Sequence, residues 1–170
     1  RSTLFPYTTL FRSSIGPILK YYDIAAQIDQ RQVNWEGFNY GAQRFLIGLG
    51  KKVIIANTMA VTADEVFALG ADDVTTLVAW IGIFAYYFQV YFDFSGYSDM
   101  AIGLGKMFGF KINENFNYPY LARSIQDLWR RWHISLATWF KEYIYIPLGG
   151  SRQGTLQTYR NLMIVFFLTG

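Results

Sequence analysis

A single imidazole, His133, sits in the stretch WRRWHISLATWFKEY, which runs from Trp129 to Tyr143. Arg130 and Arg131 precede it, and Trp129, Trp132 and Trp139 surround it. A neutral imidazole kept from bulk water, with a pKa near working pH, can take a proton from a hydroxyl as general base. Three- and four-residue spacing places Trp129, Trp132, His133, Leu136 and Phe140 on one face of a helix. Asp127 and Arg131 form an i,i+4 pair able to lock side chains together. Spacing by itself favours a blander reading, a hydrogen-bonded histidine packed among aromatic rings. The Trp and Arg mixture also suits an interfacial helix with an aromatic belt.

Asp93 and Asp99 are the second pointer. They flank FSGYS, directly after an uncharged apolar run. An ionised carboxylate in lipid is costly, so such a group faces a cavity or a cation. Arg130 or Arg131 is a candidate partner, and Tyr97 between the two acids adds a polar hydroxyl. The alternative, that Asp93 marks the membrane surface, stays equally open. Other chemistry lacks its residues. Cysteine is absent, which removes thiolate catalysis, disulfides and Cys-based zinc sites. GLGKK lacks the first Gly and the Ser/Thr of a phosphate-binding loop, and no GxSxG elbow occurs.

The elements that must position these residues read as helices. Of the 170 residues 52% are hydrophobic and only 16% charged, against about 25% charged in a soluble domain. Val74–Phe92 carries no charge and is long enough to span a bilayer. Tyr40–Ala63 is a second apolar stretch, interrupted by Arg44 and by Lys51-Lys52, whose ammonium groups could snorkel to an interface. It reads as one helix or two short ones. Gly16-Pro17 predicts a break before a short amphipathic helix ending near Asp29–Gln32. Asp93–Phe110 continues from the long span, and its glycines allow either close helix approach or a helix break. Lys111–Tyr120 reads as a polar loop, Leu121–Tyr145 as one long helix, 147–155 as a turn-rich loop and Thr158–Gly170 as a further apolar helix. The expected fold class is all-α, a polytopic transmembrane protein with amphipathic helices.

Residues 1–13, RSTLFPYTTLFRS, look foreign and resemble translated adapter sequence, so residues 14–170 are treated as the domain and as an internal fragment. The formal charge of +3 includes Arg1 and Arg12, and removing both leaves +1. Nucleic acid is therefore not an expected partner.

Longer strings add a resemblance. QVYFDFSGYSDMAIGLGKMFGF, NENFNYPYLARSIQDLWRRWHISLATWFKEYIYIPLGGSR and TYRNLMIVFFLTG resemble the membrane-bound O-acyltransferase (MBOAT) family, nearest to its alginate O-acetylation branch. IGPILKYYD near the start resembles that branch as well. The likeness covers Ser14–Gly170. It implies a partial, MBOAT-type polytopic transmembrane helical bundle, with amphipathic and re-entrant helices, around a tunnel where acyl donor and hydroxyl acceptor meet. It places His133 at a functionally important histidine of the branch. A second histidine, usually taken as the main base, follows a Gly-Gly-Leu-Trp-His-Gly type motif that would begin where this chain stops. The expectation is that the chain alone is inactive.

For the full-length protein the resemblance implies transfer of an acyl group, in the first instance acetyl, across the cytoplasmic membrane to hydroxyls of an exported polysaccharide such as alginate. His133 then has a catalytic tunnel role, Arg130 and Arg131 orient or pair charge, and Asp93, Tyr97 and Asp99 form a polar wall for substrate. No bound cofactor or metal is expected, and the donor is acetyl-CoA or another acyl thioester. Partners are the lipid bilayer and periplasmic or extracellular acetylation proteins, in a multi-pass protein of the bacterial inner membrane. D-alanyl transfer to teichoic acid and peptidoglycan O-acetylation are alternatives on the same fold. A non-enzymatic channel is a third reading. Arg and Lys between 123 and 152 put that end near the cytoplasm by the positive-inside rule.

Overall fold

A computed structural model describes residues 17–70 and 72–169. The expectation for residues 1–13, and Gly16 of the Gly-Pro break, lie outside the described residues. Every regular element among them is helical, as the composition requires. The chain divides at the Glu114–Asn115 peptide bond into two units.

The first unit opens with α1 (Tyr21–Gln30), followed by α2 (Trp35–Gly50). Asn34 starts α2 by accepting the Gly37 N–H on Oδ1 at 2.7 Å, which satisfies one of the free amides of the first turn. α2 does not stop at its glycine. It passes through a π-helical turn (Lys51–Ala56) directly into α3 (Asn57–Phe67). The whole stretch from Trp35 to Phe67 is 33 residues long and apolar enough to cross a membrane. α4 (Thr76–Met107) is one unbroken helix of 32 residues that absorbs both the expected span and the glycine-rich segment after it. At a rise of about 1.5 Å per residue it extends roughly 48 Å, more than the ~30 Å of a hydrocarbon layer. It ends in a Schellman turn: Gly109, at φ +80°, donates to the Lys106 carbonyl, and Phe110 donates to Gly105.

The glycines of α4 serve close approach. A Cβ on Gly41 would lie 2.5 Å from the Gly103 carbonyl oxygen, and one on Gly103 would lie 2.5 Å from that of Gly41. Gly48 and Gly96 repeat the arrangement at 2.5 and 2.7 Å. Each pair is reciprocal, so α2 and α4 run antiparallel with their backbones in contact at two levels seven residues apart. Small residues continue the seam. Ala56 and Ala63 are buried, and Gly82 lies against Val66. Along α4 the glycines at 82, 96 and 103 are separated by fourteen and seven residues. On the partner stretch the buried small residues fall at 41, 48, 56 and 63, a spacing of seven, eight and seven. The π-helical turn holds the extra residue. Its wider turn keeps both halves of the stretch facing the unbroken α4.

Away from the seam the helices present large apolar side chains outward. Ile54, Trp80, Phe84 and Tyr86 are each more than half exposed. This is the pattern of helices whose outer faces meet lipid or further apolar protein.

The second unit departs from the expected single helix over Leu121–Tyr145. A 3-10 turn (Pro119–Leu121) leads into α5 (Ile125–Arg131), which ends at Arg131. Trp132 is extended and His133 is left-handed, and α6 (Ile134–Phe140) begins after them. A second π-helical turn (Lys141–Tyr145) follows, then a turn-rich loop and α7 (Thr155–Thr169). α7 begins three residues earlier than expected. Buried Asn161 holds the loop by donating from Nδ2 to the carbonyls of Leu148 (3.1 Å) and Gly150 (3.0 Å).

The seam makes a direct prediction. Gly48→Ala or Gly96→Ala forces the backbones apart and costs about 1–3 kcal/mol. Gly50→Ala, where a Cβ meets open space, changes stability little or raises it by about 0.5–1 kcal/mol, the ordinary helix-interior gain. Thermal unfolding in detergent of the three variants ranks them, and equal loss at all three positions would defeat the seam.

Candidate functional site

Two clusters carry the charged and polar side chains. The first lies on α2, the π-helical turn and α4. Asp99 is only 6% exposed. One of its oxygens accepts Arg44 Nε at 2.9 Å and an Arg44 terminal nitrogen at 2.6 Å, and the other accepts the Lys51 ammonium at 2.5 Å. Arg44 also donates to Glu114 at 2.6 Å. Lys52 pairs with Asp93. Three cations thus meet three carboxylates along the glycine seam. The sequence offered Arg130 or Arg131 as a partner for these acids and allowed Lys51 and Lys52 to snorkel; within this unit the acids pair with Arg44, Lys51 and Lys52. The counter-charges sit one helix away in the same unit because Gly48 against Gly96 draws the backbones together there. Arg44 had been noticed only as an interruption of an apolar run, and Glu114 only as a loop residue.

Within this cluster the three predicted wall residues differ. The Asp99 side chain is enclosed by its two cations. Asp93 keeps half of its side chain exposed, and Tyr97 is 39% exposed.

The second cluster surrounds His133. Its backbone stands at φ 43°, ψ 55°, the left-handed region that residues other than glycine seldom adopt, although His tolerates it better than most. Neither Gly nor Pro marks the break. It is imposed by residues 115–117. The Asn115 carbonyl accepts the Ile134 N–H at 3.0 Å. Its side-chain Oδ1 accepts the Ser135 N–H at 3.1 Å and the Ser135 hydroxyl at 2.9 Å. On the other side, the Asn117 N–H donates to the Arg131 carbonyl at 2.9 Å. Asn115 is fully buried. It does for α6 what a local N-cap does elsewhere, from twenty residues away.

His133 Nε2 is shielded from solvent. The Trp132 ring packs edge-on against Phe116 at 5.1 Å between centroids and lies 6.3 Å from Tyr120. The expected single stripe of Trp129, Trp132, His133, Leu136 and Phe140 is broken by the change of direction at 132–133. The expected Asp127–Arg131 pair is present at 3.0 Å. That bond holds the Asp127 carboxyl below the usual carboxylate range. It therefore supports α5 above the ordinary carboxylate pKa, and the support fades as pH falls through the lowered value. Arg130 points its charge to an exposed position on the same helix. Among the described residues, no three His, Asp or Glu side chains gather as a metal site.

The charge cluster predicts unequal losses. Asp99→Ala takes the enclosed carboxylate from Lys51 and leaves Arg44 with Glu114 alone, at a cost toward the lower end of about 3–5 kcal/mol. Glu114→Ala removes an exposed partner and costs about 0–1 kcal/mol. Unfolding of the two variants in detergent checks the order, and a Glu114 loss equal to that of Asp99 would contradict it.

Comparison with known proteins agrees with this architecture. Residues 4–170 match the family described as MBOAT, membrane-bound O-acyltransferase family. The chain is 55% identical over 155 residues to a "Probable alginate O-acetylase AlgI" of Pseudomonas fluorescens, covering 91% of this chain and 31% of that protein. It is 47% identical over 161 residues to a peptidoglycan O-acetyltransferase of Helicobacter pylori, covering 91% and 30%. It is 33% identical over 151 residues to a teichoic acid D-alanyltransferase of Bacillus subtilis, covering 82% and 36%. The chain therefore spans about a third of the length of these relatives. With a family match over nearly every residue and two helices fit to cross a bilayer, the chain belongs to the membrane-bound O-acyltransferase family of membrane proteins.

Proposed function

We propose that the full-length protein transfers an acetyl group from an acyl thioester to hydroxyls of an exported polysaccharide such as alginate. In this reading it is a multi-pass enzyme of the bacterial inner membrane. The single observation that carries the site is His133: a histidine in a strained backbone conformation, with Nε2 out of water, inside the strings that carry the family likeness. Strain of this kind costs of order 1–3 kcal/mol and persists where surrounding contacts over-determine it, which is common at functional sites. The degree of identity to the alginate O-acetylases supports acetyl as the group and alginate as the acceptor class.

The chemistry is acyl exchange. The acceptor oxygen forms a bond to the acyl carbon as its proton passes to the imidazole. The carbon–sulfur bond of the thioester breaks, and the imidazolium returns the proton to the departing thiolate. An ester and a free thiol are the products. A base near the hydroxyl and donors toward the developing oxyanion are what this reaction needs from protein. His133 provides or shares the base with a histidine further along the full-length chain. Arg130 and Arg131, whose guanidinium groups keep their charge throughout, orient the donor or the oxyanion. Asp93, Tyr97 and Asp99 form a polar wall for substrate, with Asp99 held in place by Arg44 and Lys51. Acetyl-CoA or another thioester is the donor. Periplasmic or extracellular acetylation proteins are its partners.

Likeness to the peptidoglycan O-acetyltransferase keeps a second acceptor in view, and the same experiment separates the two. The full-length protein, with His133→Ala and His133→Asn, is expressed in its own host, and ester-linked acetyl is measured on each cell polymer. Both variants, at normal protein levels, lower acetylation of the exported polysaccharide at least tenfold, because Asn accepts the left-handed backbone but not the proton. Unchanged acetylation would make His133 a packing residue. Loss of acetyl from peptidoglycan alone would move the acceptor.

A further inference from the structure

We infer that Asn115 is a positioning residue for the His133 imidazole. The inference rests on the reading of His133 as a proton-accepting group, and it adds a residue that sequence spacing did not single out. Asn115 bonds the two residues that follow His133, Ile134 through its carbonyl and Ser135 through Oδ1. Asn117 bonds the carbonyl of Arg131, two residues before it. The peptide units on both sides of Trp132 and His133 are thus tied to one short segment, and the left-handed turn between them has little room to relax.

The choice of side chain follows from what the site asks. The first turn of α6 presents amides that no residue within the helix can accept. A buried acceptor has to meet both the Ser135 N–H and its hydroxyl, and Asn does so without placing a charge in a fully enclosed position. Without Oδ1, only the backbone bonds from Ile134 to the Asn115 carbonyl and from Asn117 to the Arg131 carbonyl remain to keep α5 and α6 apart. The stretch contains neither Gly nor Pro between Ser124 and Ile146. Joined as one helix, Trp132 and His133 would swing to new directions and carry the imidazole away from its present place. A displacement of about 1 Å in a reacting group is enough to cost roughly 100-fold in rate.

The test uses the full-length protein in membranes, with acetyl transfer from an acetyl thioester followed as a rate against donor concentration. Asn115→Ala lowers kcat about 100-fold with KM for the donor nearly unchanged. Asn115→Asp retains both acceptor contacts but puts a carboxyl group in the enclosed position, and recovers only part of the rate. Ser135→Ala removes only the hydroxyl contact and gives a smaller loss. The Asn115→Ala/His133→Ala double variant is no slower than His133→Ala alone, because both act through one imidazole. If Asn115→Ala fails to accumulate, the Ser135→Ala/His133→Ala pair supplies the same comparison. Normal kcat in Asn115→Ala, or losses that multiply in the double variant, overturns the positioning role. An impaired His133→Ala beside a normal Asn115→Ala sinks this inference alone. A normal His133→Ala sinks the reading beneath it as well.

Discussion

Charge or an unbonded peptide group placed among apolar helices must be answered by another protein group, since neither lipid nor packed hydrocarbon can answer it. Both units are organised by that constraint. In the first, the Asp99 carboxylate needs cations, and α2 with the turn after it supplies two of them by lying directly on α4. In the second, the amides at the start of α6 need acceptors, and residue 115 supplies them. The ionic cluster and the histidine turn differ in chemistry but answer the same requirement.

The seam and the salt bridges are therefore one device. Without side chains at 41, 48, 96 and 103 the helix axes approach until carbonyls meet Cα atoms. Only then do the short carboxylate of Asp99 and the long arms of Arg44 and Lys51 close to hydrogen-bonding distance. Dispersion between backbones is the chief attraction helices have in lipid, where burying apolar surface gains little. The ion pairs add orientation, because they are matched in one antiparallel register. An enclosed ion pair often contributes little net stability, and its clearest use is to specify a unique arrangement.

The sequence reading reached the helical class and the long spans because these follow from a lack of charge over nineteen residues at Val74–Phe92. It read the continuity into Asp93–Phe110 correctly and left open whether the glycines there meant approach or breakage. A glycine looks the same in either role, and only its neighbour on α2 decides. The Asp127–Arg131 pair was legible because it is local. The partners of Asp93 and Asp99 were not, because residues 41 to 55 positions away in the chain hold no local signature. The break at His133 was misread for the same reason. Periodicity runs through it undisturbed, and the agent that bends the chain is an asparagine twenty residues upstream of Ser135.

The π-helical turn at Lys51–Ala56 has a bearing on how this stretch accommodates changes of length. One residue removed from an α-helix rotates everything beyond it by about 100°. A deletion between Gly41 and Gly48 would turn one level of the seam away from α4. A deletion within the wide turn would convert it to ordinary α-helix and restore a spacing of seven, leaving Ala56 and Ala63 facing the same partner. The chain thus contains a built-in joint of one residue, and the turn that forms it carries the lysines that hold Asp93 and Asp99.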